Sequence, residues 1–238
     1  MQLYTNQIFK LSLGALDGEI GKVKDIYFDD SNWMVRYLVA DTGNWLFERK
    51  VLISPIAVEQ PFEIHNNVIN LKLDKQQVKN SPEIDTDLPF SLQQESSLFD
   101  HYSWPSFGRA GMGWPTTSVL RGTSAVINKA ELQAEFDPHL RSFQHISKYE
   151  VYHEYGRVGI VKDLIVDTVN WSIPFLLFDD VFTSDQERVV VSTTKILSID
   201  WDTFQIRISL SQEEVKNAPR INAVGFFSND LERLPPLS

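Results

Sequence analysis

The sequence predicts a mainly β protein: two small antiparallel β-barrels in tandem, related by a pseudo-twofold duplication, with a short capped helix after each and an irregular bridge between them. Three observations carry this. The chain repeats itself, the repeated blocks read as short strands without long helices between them, and a near-identical pentapeptide closes each block, "VKNSP" at 78–82 and "VKNAP" at 215–219.

Sliding the chain against itself reveals the repeat. At a shift of 138 positions "GKVKDIYFDD" from Gly21 lies over "GIVKDLIVDT" from Gly159, and Asn32–Trp33 over Asn170–Trp171. "RYLVAD" ending at Asp41 then lies over "PFLLFD" ending at Asp179, and "VLIS" at 51–54 over "VVVS" at 189–192. Between residues 55 and 68 the shift drops to 137, which brings the pentapeptides together. Matched blocks in one order mean tandem copies. The chain therefore divides into a first repeat at 1–82, a bridge at 83–145, a second repeat at 146–222 and a tail at 223–238.

Each repeat reads as β. Tyr27–Asp29 and Trp33–Asp41 are apolar and aromatic runs around "DSN", turn chemistry that predicts a hairpin with Trp33 at its return, and "TVN" before Trp171 repeats it. "FERKVLIS" and "ERVVVSTTKI" supply a further strand, while "NVINLKL" and "FQIRISL" alternate apolar with polar at period two. At the close of the first repeat Asp74 and Gln77 form a capping box with Leu73 and Val78 as the hydrophobic staple; Ser211, Glu214, Leu210 and Val215 do so in the second. Pro82 and Pro219 then stop a helix of about two turns. The repeated pentapeptide is the end of a capped helix.

Composition narrows the function classes. The 238 residues are 42% hydrophobic, without a run long enough to span a membrane or the pattern of a secretory signal, so no integral membrane segment is expected. With no cysteine there is neither disulfide framework nor thiolate chemistry, and the expected location is cytoplasmic. The net charge is −10 and every region carries more acidic than basic residues, which argues against a nucleic-acid partner.

The run "LDGEIGKVKDIYFDDSNWMVRYLVADTGNWLFERKVLISPIAV" from Leu16 resembles the PRC-barrel domain, the β-barrel named for the cytoplasmic part of the photosynthetic reaction-centre H subunit and found also in a 16S rRNA maturation factor. "HYSWPSFG" at 101–108 and "DPHLRS" at 137–142 are similar to the bridge of bacterial proteins with two such domains. The resemblance implies PRC-type barrels and a docking module rather than a catalyst. The second copy lacks "DTGNW", having "DDVFTSDQ" instead, so any site built on Trp45 belongs to the first.

Searching for chemistry leaves little. His65, His101, His139, His145 and His153 form no recognised zinc spacing, so no metal is expected. "GRAGMG" at 108–113 is no phosphate loop, and there is no nucleophile elbow; no catalytic residue and no cofactor are expected. Asp25 and Asp163, Asp29 and Asp167, Asp41 and Asp179 recur at equivalent places, where strand-end carboxylates holding turn amides explain them. In the bridge, Phe99, Tyr102, Trp104 and Phe107 crowd around Pro105, and "SAVINKAELQAEFDPH" reads as a short helix. The aromatic stretch reads as a strap packed across the barrels or as an exposed patch for a partner. His101, Tyr102, Trp104, Phe107 and Trp45 are the candidate partner-binding residues.

These readings favour a non-catalytic protein-binding scaffold with one unidentified protein partner. The alternatives are a peripheral accessory of a photosynthetic or other membrane electron-transfer complex, H-subunit-like, and a hydrolase using inter-barrel carboxylates such as Asp41 and Asp179. Exposed edges of partly open barrels make a homodimer an expectation as well.

Overall fold

A computed structural model describes residues 1–46, 49–82, 97–98, 100–103, 139–182 and 187–222. The first half comprises β1 (Gln2–Tyr4), α1 (Thr5–Ile8), β2 (Ser12–Ala15), β3 (Gly18–Asp29), β4 (Met34–Asp41), β5 (Lys50–Ile53), β6 (Ile64–His65), β7 (Val68–Asn70) and α2 (Lys75–Lys79). The second comprises β8 (Leu140–Ser142), α3 (Phe143–Ile146), β9 (Glu150–His153), β10 (Gly156–Asp167), β11 (Ser172–Asp180), β12 (Glu187–Ser192), β13 (Ile196–Asp200), β14 (Gln205–Ile208), α4 (Gln212–Asn217) and β15 (Arg220–Asn222). The fold is mainly β. Residues 139–145, read from sequence as bridge, contribute β8 and most of α3.

The long hairpins form where the turn chemistry puts them. Asp29 accepts from the Ser31 amide and Asp167 from the Val169 amide, closing the turns between β3 and β4 and between β10 and β11. Trp33 and Trp171 leave those turns with left-handed φ of 56° and 59°. That conformation is uncommon for a bulky side chain, and packing holds it: Trp33 stacks on Phe28 at 5.3 Å, and Trp171 is buried with Phe62 edge-on at 5.7 Å.

Both capping boxes form, Asp74 with Gln77 and Ser211 with Glu214, over helices of five and six residues, a little shorter than two turns. Val78 and Val215 are the fully buried residue of each.

Two separate antiparallel barrels are not what the pairing produces. The described strands make one hydrogen-bonded sheet that runs β13-β14-β9-β10-β11-β4-β3-β2-β7-β6 and does not close. The halves merge because β4 and β11 pair at Met34 and Ser172, flanked by the Val35 amide on Trp171 O (2.8 Å) and the Ile173 amide on Trp33 O (2.7 Å). Nor is the sheet antiparallel throughout. β7 reaches β2, and β14 reaches β9, after long connections that bring each pair into parallel register.

The N-terminal strand of each half lies on the other half. β1 pairs with β10, Leu3 opposite Val166, and β8 pairs with β3, Arg141 opposite Phe28. The bonds that continue these ladders exchange in the same way, the Thr168 amide on Met1 O and the Asp30 amide on His139 O. Tyr4 is thereby buried against Ile165, Phe175 and Leu177 of the second half. Most other apolar side chains form one cluster that runs through both halves. Burying a ring of that size contributes about 2 kcal/mol, so the exchange is cemented by packing as well as by backbone bonds.

Gly21 and Gly159 show why the "GKVKD" and "GIVKD" blocks begin with glycine. A Cβ at Gly21 would collide with the Asp41 carbonyl, and one at Gly159 with the Phe178 ring and the Asp179 carbonyl, on the paired strands β4 and β11. The obstacle on both sides includes backbone. Gly21→Ala and Gly159→Ala are each expected to lower unfolding free energy by at least about 2 kcal/mol in urea titrations. Losses under about 0.5 kcal/mol, the range of an uninvolved surface site, would contradict the close approach.

Candidate functional site

α2 gathers three of the five residues singled out from sequence. Trp45, half-buried in the 3-10 turn Gly43–Leu46, donates its indole N–H to the Ile20 carbonyl and lies under the Lys75 ammonium, 4.5 Å from the ring centre. Midway along α2 the His101 Nε2 lies 2.8 Å from the Gln77 carbonyl oxygen, with the Tyr102 ring edge-on at 4.7 Å. Tyr102 is buried and Leu98 wholly so. Burial pushes the Tyr102 phenol up to about 12, against the opposing pull of Ser81 and the Arg49 guanidinium beside it. Arg49 ties the same corner together, donating to the Lys79 carbonyl at 3.0 Å, to Ser81 Oγ at 3.2 Å and to the Ser81 carbonyl.

The start of the bridge is thus stapled onto the helix that ends in "VKNSP". Tyr102 acts there as an internal anchor, whereas His101 and Trp45 keep an accessible face. Trp104 and Phe107 lie outside the described residues, as do Phe99, "GRAGMG" and the segment read as a helix from Ser124. The tail at 223–238 lies outside them too.

The recurrent carboxylates are engaged one by one. Asp29 receives the Arg36 guanidinium at 3.2 Å. Asp41 accepts from the Gly43 amide at 3.0 Å and faces Lys24 at 3.9 Å. Asp179 stands between Lys162 at 3.3 Å and Arg188 at 3.4 Å.

Asp25 and Asp163 are different. Both are buried, each just past a bulge, at Lys24 and at Lys162, that breaks the strand's alternation and re-aims the side chain. Each is held by the other half's short helix. Asp25 accepts from Ser142 Oγ (2.5 Å) and the Gln144 amide (3.0 Å), and from its own neighbour Ile26 (2.8 Å). Asp163 accepts from Thr5 Oγ1, from Asn6 Nδ2 (2.5 Å) and its amide (3.4 Å), and from Leu164 (2.9 Å), with Arg188 at 3.6 Å. Desolvation pushes both carboxyls above the ordinary carboxylate value; these donors pull the other way. Sequence reading assigned this pair to turns. Their place in both "VKD" blocks was the available signal, but the partners lie more than a hundred positions away.

The histidines also have separate surroundings. His139 Nδ1 meets Asp30 at 2.8 Å, beside Arg141 Nε at 2.5 Å from the same carboxylate, and burial raises Asp30. Arg141 in turn lies over the Trp201 ring at 4.3 Å, and His145 stands 5.5 Å from that ring. His153 Nδ1 accepts from the Tyr155 amide. Among the described residues no three His, Cys, Asp or Glu side chains cluster as a metal site, and no helix is long and apolar enough to cross a membrane.

Comparison with known families places the PRC-barrel domain at residues 14–78, from β2 to the last turn of α2. The matched span contains Trp45 and Asp25 but neither β1 nor β8. No curated protein matches the chain. The chain is therefore a mainly β protein in which residues 14–78 match the PRC-barrel domain.

The buried pair fixes a pH dependence. A native carboxyl raised above 3.8 holds its proton more tightly than the unfolded chain does, so stability falls as pH rises through the native value and the cost of the buried charge is present in full above it. Asp25→Asn and Asp163→Asn keep an acceptor oxygen without that charge. Relative to the parent protein, each is expected to gain stability as pH rises above the ordinary carboxylate value, read in denaturant titrations. A difference independent of pH, or one that shrinks, would contradict the burial cost.

Proposed function

We propose that the chain is a two-copy PRC-barrel protein that serves as a non-catalytic scaffold for one protein partner, docked through the face of α2 that Trp45 and His101 border. Support for two copies is the common shift of their elements: β3 and β10 have equal length, the bulges at Lys24 and Lys162 correspond, and so do both exchanged strands. The observation that carries the non-catalytic reading is the commitment of the recurrent carboxylates. Asp25 and Asp163 hold the halves together, and Asp41 and Asp179 are tied to lysines of their own half. That leaves the hydrolase reading without a free pair.

Trp45 offers a ring already carrying a cation, and His101 a polar neighbour one helix away, the mixture of aromatic anchor and polar rim that interfaces use. Trp104 and Phe107, singled out from the sequence, are tested beside them. Affinity capture from the native host tests it, comparing the parent protein with Trp45→Ala/His101→Ala and with Trp104→Ala/Phe107→Ala, each shown folded by circular dichroism. One reproducible protein is expected with the parent, reduced at least about tenfold by either variant. Equal recovery by all three, or turnover of a substrate by the purified protein, would overturn the proposal.

A further inference from the structure

The two ends of the sheet are finished differently. At one end β6 is two residues long and follows "EQPFE" at 59–63, whose proline and two glutamates are of the kinds that blunt a sheet edge. At the other end β13 is five residues, "ILSID", without proline, and no described strand lies along its outer side. Leu197 in β13 is 69% exposed, and Phe204, in the turn that joins β13 to β14, is 54% exposed. Lys195 just before the strand and Asp200 at its end are exposed too, and neither makes an ion pair with a described residue.

The strand carries the pattern of its own partner. A bulge between Ile196 and Ser198 breaks the alternation, so Ile196 and Ile199 both pack against the core while Lys195, Leu197, Ser198 and Asp200 face solvent. Laid antiparallel to a second copy of itself, this order matches in one register. Ile196 then lies opposite Ile199 of the second copy, Leu197 opposite Ser198 and Lys195 opposite Asp200, each pair occurring twice about a twofold axis. A slip by one residue would set Ile196 against Asp200, or Ile199 against Lys195, and oppose core to solvent.

We propose that β13 is a self-association edge, through which two copies of the chain pair antiparallel, clasped at both ends by Lys195 of one copy and Asp200 of the other. Backbone bonds along the outer side of β13 supply the attraction, and the two reciprocal ion pairs fix the register. A net charge of −10 opposes association at long range, but salt screens that repulsion over about 8 Å at physiological ionic strength and leaves the facing pairs to decide. The surface is separate from the α2 face and does not depend on the scaffold reading.

Sedimentation velocity of the full chain, diluted from about 500 µM to about 1 µM, covers the range in which a small interface dissociates. A concentration-dependent dimer is expected. Lys195→Glu sets like charges opposite each other at both ends, and Leu197→Lys places an edge-blocking charge at an exposed position; each is expected to weaken the dimer at least about tenfold. Asp200→Asn keeps an acceptor for the Asp202 and Thr203 amides that Asp200 holds at 2.9 and 3.0 Å. Mixed with a fluorescently labelled Lys195→Glu chain, it removes the repulsion at both ends, so the labelled chain should associate at least about fivefold more tightly than it does alone. A monomer throughout the range, a dimer equally tight in Lys195→Glu and Leu197→Lys as in the parent, or a mixture no tighter than Lys195→Glu alone overturns the proposal. So does a dimer that forms only after truncation at Asn222, which would put the chain's own tail on this edge.

Discussion

The structure depends on a reciprocal exchange. A three-residue strand and the short helix behind it leave each half and dock on the other, where their donors meet a buried carboxylate. Neither part of that contact is sufficient alone. Strands as short as β1 and β8 contribute only a few backbone bonds, each worth about 1 kcal/mol net, and they would fray without the helix behind them. A buried aspartate is in turn unfavourable without donors. The amides and hydroxyls at the start of α1 and α3 supply those donors to Asp163 and Asp25. The bulge before each aspartate aims it at them.

From that exchange the rest follows. Because β1 belongs to the second half, Tyr4 enters a core with Phe175 and Leu177; because β8 belongs to the first, Arg141 sits opposite Phe28 and meets Asp30. The Met34–Ser172 pair completes one sheet across the molecule, and a single apolar cluster fills both halves. Asp25 and Asp163, the buried members of the recurrent carboxylates, are consumed by this architecture.

Much of this was legible in the residues and some was not. The Asp29 and Asp167 turns, both capping boxes and the buried valines of α2 and α4 are local, decided within a few positions, and the sequence reading recovered them. The demand for glycine at 21 and 159 was visible as recurrence, though its cause, the close approach of the paired strand's carbonyl, needed coordinates. The exchange was hidden for a physical reason: "QLYTNQI" at 2–8 and "LRSFQHI" at 140–146 share little because β1 and β8 act through backbone bonds that constrain side chains weakly. Closure into two barrels was expected because strand order cannot be read from period-two patterning. Of the candidate partner residues, aromatic character was legible, but burial separated Tyr102, an anchor, from Trp45 and His101.

The exchange itself is the claim to test, and a chain without cysteine makes the test clean. Two variants place a cysteine at Leu3 and a second either at Val166, its observed neighbour, or at Phe28, the position it would face if β1 folded back on its own half. Paired antiparallel positions bring Cα atoms within disulfide reach. Under mild oxidation of the monomer, Leu3→Cys with Val166→Cys should close an intramolecular bond and Leu3→Cys with Phe28→Cys should remain reduced. Bond formation by the second pair and not the first would show that the halves keep their own strands, and the reciprocal latch would fall with it.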